Sequence, residues 1–296
     1  MSKKKTIRTL FLHQVPHYVH EGFAKSIHAD FLRCDKSRIE FMPTTLNLAL
    51  NSLSLPNYDV YLCDGSAPAL SATLKKIFSA SYKIKVIEIA AHPEYLMLTL
   101  GLPKKSMYYK IIRRMVNPQI DGIITVSKFM KENISKMFDV PIKIAYPFIS
   151  NEMYEKLGRI TPNVETHTIL SIGSNVPKNG MELLVESFKK VKKEFPDAEL
   201  YMIGRRHPVE WSTIDGVHVK GFVEDLTPYF EKSSLFVMAG KGQPFPVATL
   251  ESLRAGLPTI VTEKTGTKEI IRKLGKEFVR KVDVEDIAHG ICKYFD

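Results

Sequence analysis

Short apolar runs alternate with amphipathic helical patterns along most of the 296 residues of the chain. Most of these runs are apolar at consecutive positions, which is typical of parallel strands covered by helices on both faces of a sheet. The predicted strands cover residues 8–13, 60–63, 85–90, 122–126, 143–145, 169–173, 199–203, 217–219, 235–238 and 259–261. The alternation predicts an α/β protein with doubly wound parallel sheets.

The predicted strands form two series, separated by a break at about residues 147–167. The break has little apolar periodicity and contains turn residues such as Pro147 and Pro162. We therefore predict an N-terminal domain over residues 1–149 and a C-terminal domain over residues 150–296. Because open α/β sheets bind ligands at the carboxyl ends of their strands, we expect the site in the cleft between the domains.

The net charge of +10 favours anionic partners, among them nucleotides, phospholipid head groups and nucleic acid. No RNA-binding signature occurs, so we predict no nucleic-acid partner. Cys34, Cys63 and Cys292 lie far apart, which argues against a disulfide framework or a zinc cluster and favours a reducing cytoplasm. No apolar run reaches the ~18–20 residues of a membrane span or the form of a signal peptide. We predict a cytoplasmic protein, and peripheral contact with an anionic inner membrane face stays open.

The segment GSNVPKNGMELL follows the predicted strand 169–173. Gly173 suits a sharp turn out of the strand, and Asn179 is placed to cap a helix that starts near Gly180. Lys178 stands beside this helix start, where backbone N–H groups and the helix dipole also favour a phosphate. A lysine in a solvent-exposed loop is the alternative interpretation. The segment lacks GxxxxGK[ST] and is therefore not a P-loop.

The segment KGQPFPVATLESLRAGLPT follows the predicted strand 235–238. Pro246 suits the first position of a helix, and Gly256 suits the residue just past its end near Arg254. Glu251 lies midway along this helix, where capping does not explain it. Its carboxylate could accept hydrogen bonds from two vicinal hydroxyls of a ribose, or it could form a surface salt bridge with Arg254.

Two further strand ends carry side chains suited to ligands. His92 follows the predicted strand 85–90, and Arg205 follows the predicted strand 199–203 in the segment GRRHP. A histidine there would face the expected cleft, and an arginine would suit a diphosphate. Both have an ordinary alternative, because a lone histidine is more often structural and loop arginines are often solvated.

Histidines cluster after the first predicted strand, at His13, His17, His20 and His28. Such a cluster raises the question of metal binding. However, no HExxH pattern occurs, and no carboxylate–histidine arrangement completes a site. We predict no metal site and interpret the segment as a polar loop.

The stretch PKKSMYYKIIRRMVNP mixes basic and apolar residues. Its apolar stripe consists of Tyr108, Ile111, Ile112 and Met115. Its charges are Lys104, Lys105, Lys110, Arg113 and Arg114. The stretch could bind a membrane surface, but an ordinary helix that covers the sheet with its charges in water is the favoured interpretation.

The order and spacing of these segments resemble the retaining, glycogen-synthase-like glycosyltransferases known as glycosyl transferases group 1. The resemblance rests on ILSIGSNVPKNGMELLVESFKKVKKEFPDAELYMIG and on VHVKGFVEDLTPYFEKSSLFVMAGKGQPFPVATLESLRAGLPTIVTEKTGTKEII. The first half matches more weakly, through EIAAHPEY and DGIITVSKFMKENI. The resemblance implies a GT-B architecture, with two Rossmann-like domains facing a central cleft.

The resemblance also implies a function: transfer of a sugar, with retention at the anomeric carbon, from a nucleotide-diphosphate sugar to a glycan, lipid or protein acceptor. It implies no cofactor and no essential metal. Catalytic roles would fall to His92, Lys178 and Gln243. An acceptor-side role would fall to His13, His17 and His92. The implied donor-binding residues are Gly173, Ser174, Lys178, Arg205, Phe222, Gln243, Pro244, Phe245, Pro246, Val247 and Glu251.

The chain departs from the family pattern at several of these positions. The first glutamate of the family's E-x7-E motif is Gln243, and the second is Glu251. The phosphate-binding arginine is replaced by Ser174, a loss for which Arg205 could compensate. Pro244 and Pro246 replace two glycines, and the glycine-rich turn after the first strand is missing. These departures favour, as the alternative, a non-catalytic GT-B-like protein that binds a nucleotide or glycan. GT-B-like epimerases and phosphorylases stay open as well.

Overall fold

All strand pairings in the described part of the chain are parallel, and they build two six-stranded sheets. The computed structural model describes residues 6–13, 18–33, 52, 54–79, 83–91, 96 and 113–296. The chain divides into two compact units, Met1–Tyr146 and Pro147–Asp296, with one sheet in each. Two such sheets with alternating helices are the GT-B class of fold that the resemblance implies.

The sheet of the first unit has the strand order β2-β1-β3-β4-β5-β6. Its strands are β1 (Thr9–His13), β2 (Asp30–Arg33), β3 (Val60–Asp64), β4 (Lys85–Ala90), β5 (Gly122–Thr125) and β6 (Ile142–Ile144). The described helices of this unit are α1 (Tyr18–Ser26), α2 (Ser66–Phe78) and α3 (Lys128–Ile134). Because strand order reverses at β1, the carboxyl ends of β1 and β3 form the switch point, where doubly wound sheets bind ligands.

The sheet of the second unit has the strand order β12-β11-β10-β7-β8-β9. Its strands are β7 (Thr168–Ile172), β8 (Glu199–Ile203), β9 (Val217–Gly221), β10 (Leu235–Met238), β11 (Thr259–Thr262) and β12 (Val279–Arg280). Its helices are α4 (Asn151–Leu157), α5 (Met181–Glu194), α6 (Thr227–Lys232), α7 (Val247–Arg254), α8 (Lys268–Leu274) and α9 (Val284–Phe295). Counted from β7, this is the order of a dinucleotide-binding sheet, with its switch point between β7 and β10.

Apolar side chains cover both faces of the second sheet. On one face, Leu184 and Phe188 of α5 pack with Ile287 of α9. On the other face, Phe230 of α6 packs with Leu157 of α4 and with other buried side chains. Helices on both faces explain why the strands of this unit are apolar at consecutive positions.

The sequence-based prediction missed two strands and one helix. β2 and β12 are short, and their side chains are mostly exposed or half-buried, so they lack the apolar run that marks a central strand. Helix α4 lies within residues 147–167, which we predicted as a connection. Its periodicity is hard to read because Leu157 is the one buried residue in its seven positions.

The basic stretch at residues 103–118 is described only from Arg113 onward. Arg113 does not lie on a basic surface as predicted, because its guanidinium donates two hydrogen bonds to buried Glu88 of β4, at 2.7 and 2.5 Å. Met115 is exposed instead of belonging to a buried stripe. The other residues proposed for the stripe lie outside the described residues. No helix in the described ranges is both long and apolar enough to cross a bilayer.

We predict that Arg113→Met destabilises the first unit by about 3–5 kcal/mol, because it leaves the Glu88 carboxylate buried without its cation. Urea unfolding followed by circular dichroism measures the loss. The matched control is Arg114→Met, which changes an exposed neighbour and should shift stability by less than about 0.5 kcal/mol. Equal effects of the two substitutions would contradict the assignment.

Candidate functional site

Two loops meet at the switch point of the second unit. Residues 173–180 follow β7, and residues 239–246 follow β10. The amide of Lys241 donates to the carbonyl of Lys178 at 2.8 Å. Gly180 has φ +66°, and a Cβ atom there would lie 1.9 Å from the carbonyl oxygen of Ala239. The two loops therefore approach closely at a point where only glycine fits.

Three polar groups link these loops, and we call them the amide bridge. The Nε2 atom of Gln243 donates to Oδ1 of Asn179. The Nδ2 atom of Asn179 donates in turn to the carbonyl of Ser174, at 2.7 Å. The two amide residues are only 9% and 7% exposed. The prediction that Asn179 caps the next helix is wrong, because its side chain makes the bridge and Gly180 precedes α5 in a left-handed conformation.

Gln243 also joins a third loop, which follows β11. The backbone N–H of Gln243 donates to the backbone carbonyl of Lys264 at 3.1 Å. The backbone carbonyl of Gln243 accepts from the backbone N–H of Gly266 at 2.8 Å. The Thr262 hydroxyl donates to the carbonyl of Gly240. Gln243 thus fixes three loops at the carboxyl edge of the sheet with its side chain and backbone.

The loop after β10 leads directly into α7. Pro244 and Phe245 are buried, and Val247 begins the helix. Pro246 precedes the first helical position instead of occupying it, because its ψ of 118° is extended. The carbonyl of Pro246 accepts from the amide of Thr249 at 3.1 Å. The predicted end of the helix is confirmed, with Gly256 at φ +86° just beyond it.

Glu251 is half-buried on α7 and has no side-chain partner among the described residues. The alternative interpretation, a salt bridge to Arg254, is wrong. The Nε atom of Arg254 donates instead to the carbonyl of Tyr154 at 2.9 Å, and its guanidinium lies 3.8 Å from the centre of the Tyr154 ring. Burial raises the pKa of Glu251, since no donor compensates for lost water. A carboxylate in this state can accept hydrogen bonds from a ligand.

Lys178 lies in a short 3₁₀ turn (Pro177–Asn179), immediately before α5. Among the residues that the structure describes, no side chain caps the amino terminus of α5. The first-turn amides of a helix lack intrahelical acceptors and carry partial positive charge. A lysine beside such a terminus suits an anionic group.

The structure also brings together Ser174, Arg205 and Phe222. The amide of Arg205 lies 3.4 Å from Oγ of Ser174 and donates to it. The Arg205 guanidinium stacks on Phe222, 4.9 Å from the ring centre. Phe222 follows β9 and is 64% exposed. A cation and a flat apolar surface thus stand next to the loop after β7.

The sequence-based analysis missed His207, two residues after Arg205. Its Nε2 atom lies 2.9 Å from the carbonyl of Gly173, and its ring stacks on Trp211. Burial lowers the pKa of His207, although the hydrogen bond to Gly173 acts in the opposite direction. A neutral imidazole there donates to Gly173 and helps to fix the strand end. The segment GRRHP did not indicate this role for His207, because its two arginines are the more obvious candidates for binding an anionic ligand.

In the first unit, His13 ends β1 and stacks on Phe31 with the ring centres 4.0 Å apart. His20 pairs with buried Asp64, with Nδ1 3.2 Å from the carboxylate. This pair was not foreseen, because its members come from α1 and the end of β3. His17 and His92 lie outside the described residues. Within the described ranges, no group of three or more histidine, cysteine, aspartate or glutamate side chains could hold a metal ion.

Comparison with known proteins identifies the second unit. Residues 166–296 match the family model described as "Glycosyl transferases group 1". The second unit is a glycosyl transferases group 1 domain. Together with the relatives below, this match supports a transferase enzyme.

Similarity extends beyond the group 1 domain. An uncharacterized glycosyltransferase of Methanocaldococcus jannaschii is 23% identical over 284 residues, covering 85% of this chain and 70% of that protein. The uncharacterized glycosyltransferase YqgM of Bacillus subtilis is 25% identical over 207 residues, covering 67% of this chain and 53% of that protein. The chain therefore spans only about half of the second relative.

A solved structure of another protein has a similar fold. The Anabaena protein HepE, crystallised with UDP and glucose, superposes with a TM-score of 0.73 at 10% sequence identity. The match covers 97% of this chain and 89% of HepE. The similarity shows that the chain has the GT-B fold.

We predict that Glu251→Gln raises the thermal unfolding midpoint at pH 7. The pKa of Glu251 is raised in the folded state, so its contribution to stability is present below the unfolded pKa of about 4.3 and is lost as pH rises through the folded pKa. The variant and the unaltered chain should therefore converge near pH 4 and diverge above it. Calorimetry between pH 4 and pH 8 checks this. Glu224→Gln, at an exposed site, is the control and should show no divergence.

Proposed function

We propose that the group 1 domain binds a nucleotide-diphosphate sugar and that the chain transfers the sugar to a glycan, lipid or protein acceptor. The observation that carries this proposal is Glu251 on the helix after the switch-point loop, a half-buried carboxylate without a side-chain partner in the described part of the chain. Vicinal ribose hydroxyls would supply the two donors that it lacks. The complex of HepE with UDP and glucose supports the same class of donor.

In this proposal, Lys178 and the free amides of α5 face the diphosphate. The diphosphate gains negative charge as it leaves, so fixed positive groups lower the barrier to transfer. Ser174 stands where the resemblance implies a phosphate-binding arginine, and Arg205 would supply the positive charge in its place. The nucleoside would lie toward Glu251, and the sugar toward the loop with Pro244, Phe245, Pro246 and Val247. Gly173 would allow the close approach of backbone to phosphate.

We further propose that transfer retains the anomeric configuration and requires no metal ion. The bond between the anomeric carbon and the diphosphate breaks, the acceptor hydroxyl oxygen bonds to the same face of an oxocarbenium-like centre, and the proton of that hydroxyl passes to the leaving diphosphate. The acceptor would be held mainly by the first unit, with His13, His17 and His92 as candidate contacts. We expect transfer to continue in the presence of EDTA.

One observation favours a second candidate function, a nucleotide- or glycan-binding protein without turnover. Gln243 stands where the resemblance implies the first glutamate of the E-x7-E motif, and its side-chain amide is already bonded to Asn179. Such a protein would bind a nucleotide as tightly as an enzyme does but would release no nucleoside diphosphate from any sugar donor.

A ligand screen followed by turnover assays tests the proposal. We expect one nucleoside diphosphate among UDP, GDP, ADP and dTDP to stabilise the chain, by about 2.7 kcal/mol at a concentration of 100 Kd. The matching nucleotide sugar should then be consumed. Lys178→Ala and Glu251→Ala should each slow consumption at least tenfold, whereas Lys193→Ala, at an exposed site on α5, should not. Unchanged rates in both site variants would refute the site, and binding without turnover would favour the second candidate.

We predict a separate role for Arg205 at the diphosphate. Arg205→Ala should weaken nucleoside diphosphate binding about tenfold to a hundredfold, because a charge-assisted hydrogen bond contributes about 1.5–3 kcal/mol. It should weaken binding of the free nucleoside much less. Isothermal titration with both ligands measures the difference, and Arg272→Ala, an exposed position on α8, is the control. Equal losses for diphosphate and nucleoside would argue against a phosphate contact.

A further inference from the structure

The amide bridge has a fixed hydrogen-bond direction. The backbone carbonyl of Ser174 can only accept, so the Nδ2 atom of Asn179 must face it. The Oδ1 atom of Asn179 must then face Gln243. Turning the Asn179 amide over would place its oxygen against the Ser174 carbonyl. Residue 243 must therefore be a donor.

An ionised carboxylate at position 243 cannot meet this requirement. It has no proton to donate, and it would set a negative oxygen against the Oδ1 atom of Asn179. The site is also nearly closed to water, since both amide residues are buried. Burial without a donor is costly for a charged group. The bridge thus accounts for glutamine at a position where the resemblance to the family's E-x7-E motif implies glutamate.

We propose that Gln243 is a positioning residue that holds the Lys178 loop through Asn179, and that this task requires a hydrogen-bond donor at position 243. Asn179 is adjacent to Lys178, and the carbonyl of Lys178 accepts from Lys241 in the same loop as Gln243. The bridge and this backbone bond fix both sides of Lys178. The inference rests on the proposed function in one respect, namely that Lys178 meets the diphosphate. It replaces the catalytic role that the resemblance implies for Gln243.

The test compares Gln243→Glu with Gln243→Met in the full chain, by urea unfolding from pH 5 to pH 8 without nucleotide. Burial raises the pKa of the introduced carboxyl above its usual value of about 4.3. When protonated it can donate to Asn179, and when ionised it cannot. Its stabilising contribution is therefore present at low pH and is lost as pH rises through the raised pKa.

The comparison of Gln243→Glu with Gln243→Met must allow for the other charged groups near position 243. The three loops joined by Gln243 carry Lys178, Lys241, Glu263 and Lys264. In the helices that adjoin these loops, α7 adds Glu251 and Arg254, and the first turns of α5 and α8 add Glu182, Lys268 and Glu269. All of them are present in every variant, so the part of their titration that does not depend on residue 243 cancels when each variant is compared with the unaltered chain at the same pH. Nearby lysines lower the pKa of an introduced carboxyl and burial raises it, so the pH at which Gln243→Glu loses stability reports the balance of the two.

For stability, we expect the unfolding midpoint of Gln243→Glu to approach that of the unaltered chain near pH 5 and to fall progressively below it toward pH 8. Gln243→Met, which has no proton to gain or lose, should be destabilised by an amount that does not vary with pH. If Gln243→Glu is too unstable at pH 8, its recovery toward pH 5 and the constant offset of Gln243→Met still decide the question. A pH-independent midpoint difference for Gln243→Glu would overturn the proposal.

For function, we expect nucleotide affinity to follow the same profile. The probe is whichever of UDP, GDP, ADP and dTDP binds the unaltered chain, measured by titration calorimetry. Relative to the unaltered chain, Gln243→Glu should bind it at least tenfold more weakly at pH 8 than at pH 5, and the relative affinity of Gln243→Met should stay constant. A gain in affinity or turnover by Gln243→Glu at pH 8 would contradict the positioning role. If no diphosphate binds the unaltered chain, the proposed function fails while the unfolding series still tests the bridge.

Discussion

The contact between the loops after β7 and β10 is the constraint on which the site of the second unit depends. Parallel strands end on the same edge of the sheet, and the reversal of strand order leaves a gap between the two neighbours there. In this chain the gap is narrowed by a glycine that lets two backbones touch and by a pair of buried amides. Without these contacts, the lysine and the helix terminus would have no fixed relation to the loop that precedes Glu251.

The candidate site of the second unit combines a half-buried acidic side chain, Glu251, with basic groups such as Lys178 and Arg205. The net charge of +10 increases the attraction of the chain for anions. Lys178 and the amino terminus of α5 are the groups that could bind an anion at this site. Glu251 has the opposite sign and no counter-ion among the described residues. Ligand-binding sites often include such groups. In the absence of the ligand, the protein is less stable with such a group than it would be with a neutral residue at the same position.

The sequence predicted the central strands well because they are buried on both faces and read as continuous apolar runs. Strands β4, β8 and β10 have the predicted bounds. The edge strands β2 and β12 were missed because exposed edges need no such run. Gly256 was predictable as a helix end, since its role depends on local backbone geometry.

The roles of Arg113 and Asn179 could not be predicted, since their partners Glu88 and Gln243 are distant in sequence. From sequence alone, a charged residue is predicted to be solvent-exposed unless its partner is known. An asparagine just before a helix is predicted to cap that helix. The sequence therefore predicted which loops form the candidate site. The hydrogen bonds between these loops could be identified only in the structure. Pairings between loops are set by the register of the sheet, which no local pattern encodes.

The stacking of Arg254 on Tyr154 has a mechanical consequence. Tyr154 belongs to α4, which follows the start of the second unit at Pro147 by only a few residues, and Arg254 ends the helix that carries Glu251. A Cβ atom at Gly158 would lie 1.8 Å from an Nη atom of Arg254, so a side chain there would displace the guanidinium. The stack and the hydrogen bond to the Tyr154 carbonyl thus tie the end of α7 to α4, so a shift of α4 would act directly on the helix that carries Glu251.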